Sequence, residues 1–462
     1  MEGGTFRKIG RGYAWIFIIF GLSAVLTVSG SVAAALTAAQ VRSTVEQIMA
    51  VMLTGKEISP ALEQRRKALI SMLESGAVKK ADIERAIEEA ILPIFNHEKT
   101  TRYILKELPD RFAGVFSPYL EWEDVRRITW KSCSSVIGEG KRMELKIATL
   151  APEGTPWLNV PQTMLIPQMK ELSGGKVIIK LYGGGVMGED TDILRKMDIG
   201  QLEGCGCTAL GILAASPETS VFLIPGLFRN YDEVDYVEEK LRKRLDSAFE
   251  KRGYILAAIL DTGFFYIFSK NQVSCLADLG RQKPLTWFGI VETTLYKELG
   301  INATPVAVPE VVSSLSSGLA DTNLAPPTWM LGMQAYQYMN YYIKPALLYS
   351  PAAVIISTRV RKQLRKRFGI SKTLAYNIQE LLVFEVNSLE PEWKTQVRSY
   401  ETKSLKAFET KCGMKAVYLP ASDMQLLETV GKKVREELAG KAYPKELADK
   451  VIKALKEYRK GR

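Results

Sequence analysis

Histidine is almost missing: His97 is the single one among 462 residues. That excludes a His-rich metal centre, and a Ser-His-Asp relay could run only through this residue. His97 lies in "LPIFNHEKT", with no nucleophile motif beside it, and reads as an ordinary helix-end residue. Cysteine is scarce as well. Five cysteines, scattered and odd in number, do not form a disulfide framework. Cys205 and Cys207 make up "CGC". On a strand their side chains share one face about 6.6 Å apart, which is awkward for a disulfide without backbone distortion. They are expected to be buried, inert thiols, and no metal site is expected around them. No RNP, zinc-finger or basic-zipper signature occurs. The surplus of 62 basic over 51 acidic residues, net +11, is therefore not assigned to a nucleic-acid partner.

Long apolar runs are also lacking, apart from one at the start. "MEGGTFRKIGRGY" carries Arg7, Lys8 and Arg11, and the chain then runs without a charge to Arg42. A basic flank, an apolar run and the small residues Ala33, Ala35 and Ala39 describe a secretory signal peptide. The same stretch is long enough to span a bilayer uncut. Residues 1–39 are thus expected to be a signal peptide or a membrane anchor, with the remainder exported.

After this segment the texture is helical. Residues 40–130 repeat apolar positions at three- and four-residue spacing. Ser59 followed by Pro60 is a helix start, a cap and then a proline in the first turn. This region shows no chemistry; it could dock a partner or act as a spacer. Residues 131–143, "KSCSSVIGEGKRM", look like a linker. From 144 onward strands alternate with helices, the pattern of a parallel sheet with crossovers. Two α/β units are joined by two long apolar extended segments, "YILAAILDTGFFYIFSK" and "MNYYIKPALLYSPAAVIIST". The fold class is α/β: two lobes with hinge strands, preceded by an all-α region. Lobe 1 is expected at about 144–265 with the C-terminal helices, and lobe 2 at about 270–350.

"VIIKLYGGGVMGEDTDILRKMDIGQLEG" holds Gly183, Gly185 and Gly188 in G-x-G-x-x-G spacing, with Glu203 further on. That resembles a dinucleotide fingerprint. However, these glycines follow the second strand of the unit, not the first. The next helix also opens with Glu189, Asp190 and Asp192, which satisfy its dipole and repel a pyrophosphate.

"KIATLAPEGTPW" (146–157) and "LYGGGVMGEDTDILRKMDIGQLEG" (181–204) are similar to the substrate-binding proteins of TRAP transporters, the DctP family. "FLIPGLFRNYDEVDYV", "GINATPVAVPEVVSSLSSGLADT" and "PAAVIIST" follow in that family's order. The resemblance covers about residues 144–440. It implies a two-lobed periplasmic receptor that captures a small organic solute, an organic acid among the options, and passes it to TRAP membrane permease subunits. It implies no enzymatic activity and no cofactor. The alternative on the same fold is a membrane-anchored sensor or scaffold.

Many members of that family place an Arg after the strand that opens lobe 2; the matching position here is Leu285. Where many have an Asn, this chain has Ala325. Both departures speak against a simple dicarboxylate. Trp287 fits a Trp-containing branch and suggests an aromatic pocket. The candidate binding residues are Glu153, Trp157, Gly185, Phe265, Trp287, Asn323 and Trp329.

Overall fold

The computed structural model describes residues 36–287 and 289–461. The expected signal peptide or anchor at 1–39 falls almost wholly outside them. Among the described residues, no helix is long and apolar enough to cross a membrane.

Among the described residues, five helices come first: α1 (Ala38–Thr54), α2 (Pro60–Glu74), α3 (Lys80–His97), α4 (Arg102–Phe112) and α5 (Trp122–Ser135). Thr37 caps α1 reciprocally with Gln40, and Ser59 accepts from the Leu62 amide ahead of Pro60, as expected. In α1, Val41, Val45, Ile48, Met49 and Met52 bury one stripe. The predicted linker is shorter than 131–143. Residues 131–135 are the last turn of α5, because Ser132 and Cys133 continue its buried face.

Among the described residues, nine strands follow. They are β1 (Met143–Thr149), β2 (Val177–Tyr182), β3 (Gly204–Cys207), β4 (Tyr254–Ser269), β5 (Leu285–Thr286), β6 (Thr304–Pro305), β7 (Thr322–Ala325), β8 (Tyr341–Ser357) and β9 (Lys415–Tyr418). One sheet runs β2-β1-β3-β8-β4-β7, with β9 on the free side of β8. β1 pairs parallel to β2 and β3, the mark of helical crossovers. β4 and β8 are antiparallel, and each serves both lobes. Their Tyr254–Ser357 end joins β3 in lobe 1; their Ser269–Tyr341 end joins β7 and β9 in lobe 2. These are the two extended segments expected to form the hinge.

Between the ends the register slips at Asp261/Gly263. Gly263 has φ +113°, and a Cβ there would stand 2.5 Å from Glu401 Oε2. Only glycine fits that bend.

The connecting helices include α6 (Asp190–Ile199), α7 (Ala209–Ala215), α8 (Tyr231–Lys251) and α9 (Ile290–Glu298). The C-terminal ones include α10 (Lys372–Ser388), α11 (Glu390–Thr410), α12 (Ala421–Leu438) and α13 (Lys445–Lys460). The C-terminal helices do not all belong to lobe 1. α12 packs on α9 of lobe 2, with Lys297 paired to Glu437 at 3.0 Å, whereas α13 returns to α8.

The helical region shares a core with lobe 1. Met143, Leu145, Ile255, Val354 and Ile356 from the sheet join the cluster of α1–α5 and α10. The helices thus cover a sheet face that would otherwise stay apolar and wet. Polar bonds fix the seam. Asn377 donates to the Phe95 and Glu98 carbonyls and accepts from the Thr100 amide. Glu385, fully buried, pairs with Arg126 and accepts from Trp130 Nε1 and Gln168 Nε2, both at 2.8 Å.

Candidate functional site

A cavity of about 90 Å³ lies between the lobes, where β4 and β8 cross from one to the other. Lobe 1 supplies Thr149, Trp157 and the β3 end at Cys207 and Thr208; lobe 2 supplies Trp287, Val308 and Trp329. The hinge strands add Leu260, Thr262, Phe265 and Ser350. Alternation along β4 explains the selection. Leu260 and Thr262 face the cavity, so Asp261 between them faces the other way.

The aromatic wall is continuous across lobe 2. The rings of Phe265 and Trp287 lie 6.1 Å apart, and those of Trp287 and Trp329 lie 5.2 Å apart. Trp287 is held by its Nε1, which donates to the Leu324 carbonyl at 3.0 Å, and by its amide, which donates to buried Glu292. Across the cleft Trp157 donates to the Asp261 carbonyl at 2.8 Å.

Several contacts draw the lobes together, two of them at the cleft mouth. Glu189, at the start of α6 in lobe 1, accepts from the Val308 amide of lobe 2 at 3.2 Å. Gly332 of lobe 2 lies so close to lobe 1 that a Cβ there would meet Thr155 at 2.6 Å. Burial, with Asp190 beside it, pushes the Glu189 carboxyl up to about 7.

The glycine motif is not a phosphate cradle. Asp190 is fully buried and accepts from the Thr208 amide at 3.0 Å, from the Thr208 hydroxyl and from the Gly211 amide at 3.0 Å. Burial raises it to about 6 despite those donors. Asp190 therefore caps the start of α7, and with Glu189 and Asp192 it puts negative charge at the start of α6, where a pyrophosphate would bind. Glu203 is structural too, accepting from the Lys146 amide at 2.8 Å and from Gln363.

The expectation of free thiols at Cys205 and Cys207 is overturned: a disulfide joins them. Cys207 ends β3 where the chain turns into α7, and the Cα atoms come to 5.3 Å, closer than on a regular strand.

Of the seven expected binding residues, Trp157, Phe265, Trp287 and Trp329 meet around the cavity. Glu153 is exposed on the loop after β1. Gly185 stands just outside the lining, where a Cβ would reach Leu150 at 3.1 Å and Pro309 at 3.9 Å. Asn323 is fully buried behind the wall, its amide nitrogen facing Met330 Sδ at 3.7 Å. Leu285 and Ala325 are fully buried core residues. Sequence reasoning missed Trp393, which enters the lining from α11, and the hydroxyls of Thr149, Thr208, Thr262 and Ser350. Nothing local in "LEPEWKTQ" marks Trp393; only the return of α11 across both lobes brings it there.

Residues 147–439 match the family model for bacterial extracellular solute-binding protein, family 7 (DctP). A solute-binding protein of Verminephrobacter eiseniae is 24% identical over 192 residues, 41% of this chain and 57% of that protein. One from Chromohalobacter salexigens is 22% identical over 204 residues, 43% of this chain and 60% of that protein. The chain thus spans a little over half the length of these curated relatives. Among solved structures, the sugar acid binding protein DctPAm from Advenella mimigardefordensis, in complex with galactonate, superposes with a TM-score of 0.59 at 21% identity. It covers 69% of this chain and 99% of its own. A TRAP periplasmic solute binding protein from Haemophilus influenzae, with bound L-gulonate, gives 0.59 at 17% identity, covering 68% and 99%. Identities this low establish the two-lobed fold.

Proposed function

Because this chain belongs to the DctP family of bacterial extracellular solute-binding proteins, we propose that it is a periplasmic receptor. It captures one small organic solute between its lobes and delivers it to a TRAP-type membrane permease. It acts by binding, without a cofactor. The observation that carries this reading is the cleft cavity at the crossing of β4 and β8, walled by aromatic side chains from both lobes. Such a pocket buries most of a small molecule, and the molecule in turn holds the lobes together. In this reading Trp157, Phe265, Trp287 and Trp329 form the wall, Gly185 lets the β2–α6 loop approach lobe 2, and Glu153 and Asn323 act outside direct contact.

The test is a thermal-shift screen of the full-length protein. The screen contains galactonate and L-gulonate, which relatives of this fold hold, together with aromatic acids, amines, neutral solutes and NAD. A solute that binds only the folded state stabilises it by about 2.7 kcal/mol at a hundredfold excess over Kd. A shift with one solute class is the expected result. A shift with NAD alone would sink the receptor reading.

A second reading, a membrane-anchored sensor or scaffold, is favoured by the helices α1–α5. They are built into lobe 1 and lie before the family match, which begins at residue 147. Co-purification with permease subunits supports transport. Co-purification with a defined signalling protein instead supports the sensor.

A further inference from the structure

Resting on the receptor reading, we infer that the cleft takes an uncharged, largely apolar solute with one oxygen acceptor, engaged by Trp393, and rejects carboxylates. Among the described residues that line the cavity, none is Lys, Arg, His, Asp or Glu. Most of the polar side chains that do line it are already committed. Thr149 donates to the Gly206 carbonyl at 2.7 Å, and Thr262 to that of Pro351 at 3.0 Å. Thr208 donates to Asp190, and Ser350 to the Pro351 carbonyl at 3.3 Å. Trp157 and Trp287 spend their indole N–H groups on the Asp261 and Leu324 carbonyls. The nearby start of α7 is filled by Asp190, whose carboxylate would repel another anion there.

A carboxylate in this cavity would lose its water and gain neither a cation nor these hydroxyl donors. A buried ion without a partner is strongly disfavoured. A neutral aromatic or aliphatic molecule loses nothing of that kind and gains the apolar wall.

Two indole donors among the described lining residues are left over, those of Trp329, which makes a ring contact with Trp287, and of Trp393. Trp393 is 4% exposed and lines the cavity, and its buried Nε1–H has no hydrogen-bond partner. Such a group is rarely left unsatisfied in the working state of a protein. A ketone, ester or ether oxygen of the solute would satisfy it and would fix orientation.

The experiment uses matched probes on the full-length protein, read by quenching of cleft indole fluorescence and by thermal shift. Acetophenone and benzoate have nearly the same shape and differ in charge; ethylbenzene lacks the acceptor. Galactonate represents the ligands of related folds. The expected result at pH 8 is that acetophenone binds at least about 100-fold more tightly than benzoate. Trp393→Phe should weaken acetophenone about tenfold more than it weakens ethylbenzene; residual ethylbenzene binding also shows that the variant is folded. Equal or tighter binding of benzoate or galactonate, with quenching, overturns the inference while leaving the receptor reading intact. An unchanged acetophenone affinity in Trp393→Phe removes the role of Trp393. Binding of none of the probes or of the wider solute screen would overturn both readings.

Discussion

The two faces of the hinge strands are opposites. On the cleft face, Leu260, Thr262, Phe265 and Ser350 meet aromatic rings, and no charge is present among the described lining residues. On the opposite face, Asp261 pairs with Arg398 at 2.7 Å and accepts from Tyr349 at 2.8 Å. Arg398 reaches on to Asp235 at 2.6 Å, its guanidinium lies 4.3 Å from the Tyr231 ring centroid, and Lys394 pairs with Glu238. Burial pulls Lys394 down, yet Glu238, Glu390 and Asp261 more than offset it and hold the ammonium charged. One residue step along β4 thus separates a layer of ion pairs from a pocket without them. Fixed charge is used to hold the bend in place, while the surface offered to a solute is kept neutral.

The comparison breaks most severely at Asp261. Replacing it with Ala leaves Arg398 and Tyr349 partly uncompensated in the interior, where removing one member of a buried pair costs about 3–5 kcal/mol. Chemical denaturation should show that loss. A change under about 1 kcal/mol would mean the ion layer is ornamental.

A smaller effect is expected at the cleft mouth. Glu189 is pushed up to about 7 when the lobes meet, by burial first and then by Asp190, with Asp192 and Glu310 adding to it. Once the lobes part, it is solvated and returns towards its ordinary value of 4.5. The closed form therefore binds the extra proton. Closure, and with it solute affinity, should rise as pH falls from about 7 towards 4.5, and the folded state should gain stability over the same window. Glu189 is only half-buried, so solvent screening limits the gain to a few-fold. Affinities measured from pH 5 to pH 8 should show this slope in the native protein and a flat line in Glu189→Gln.

The smallest effect belongs to the Cys205–Cys207 disulfide. It closes a loop of only a few residues, so reduction should cost less than about 2 kcal/mol. Melting curves with and without reductant will read it. Collapse of the fold on reduction would instead make Cys207, which lines the cavity, a pillar of the cleft.

Much of this fold is legible in the chain, because β4 and β8 are long apolar runs and the lobes alternate strands with helices. The aromatic wall is legible as well: Trp157, Phe265, Trp287 and Trp329 each stand near a strand end or a turn that faces the crossing. What stays hidden depends on distant partners. Asp261 reads as an ordinary strand acid until Arg398 is brought back to it. Trp393 reaches the cavity only because α11 returns across both lobes. Asn323 and Trp329 lie close in sequence, yet one is walled in and the other is part of the wall. The bond between Cys205 and Cys207 needed the contraction at the end of β3, which no spacing rule contains.

The seam at Glu385 has a mechanical consequence. Arg126, Trp130 and Gln168 all converge on that one carboxylate, and the apolar core runs unbroken from α1 into the lobe 1 sheet. To shear the helices away from lobe 1 would strand a buried anion and split that core, so lobe 1 and its helices move as one body. The two jaws are therefore not equals: lobe 1 with its five helices is the anvil, and lobe 2 is the part that swings.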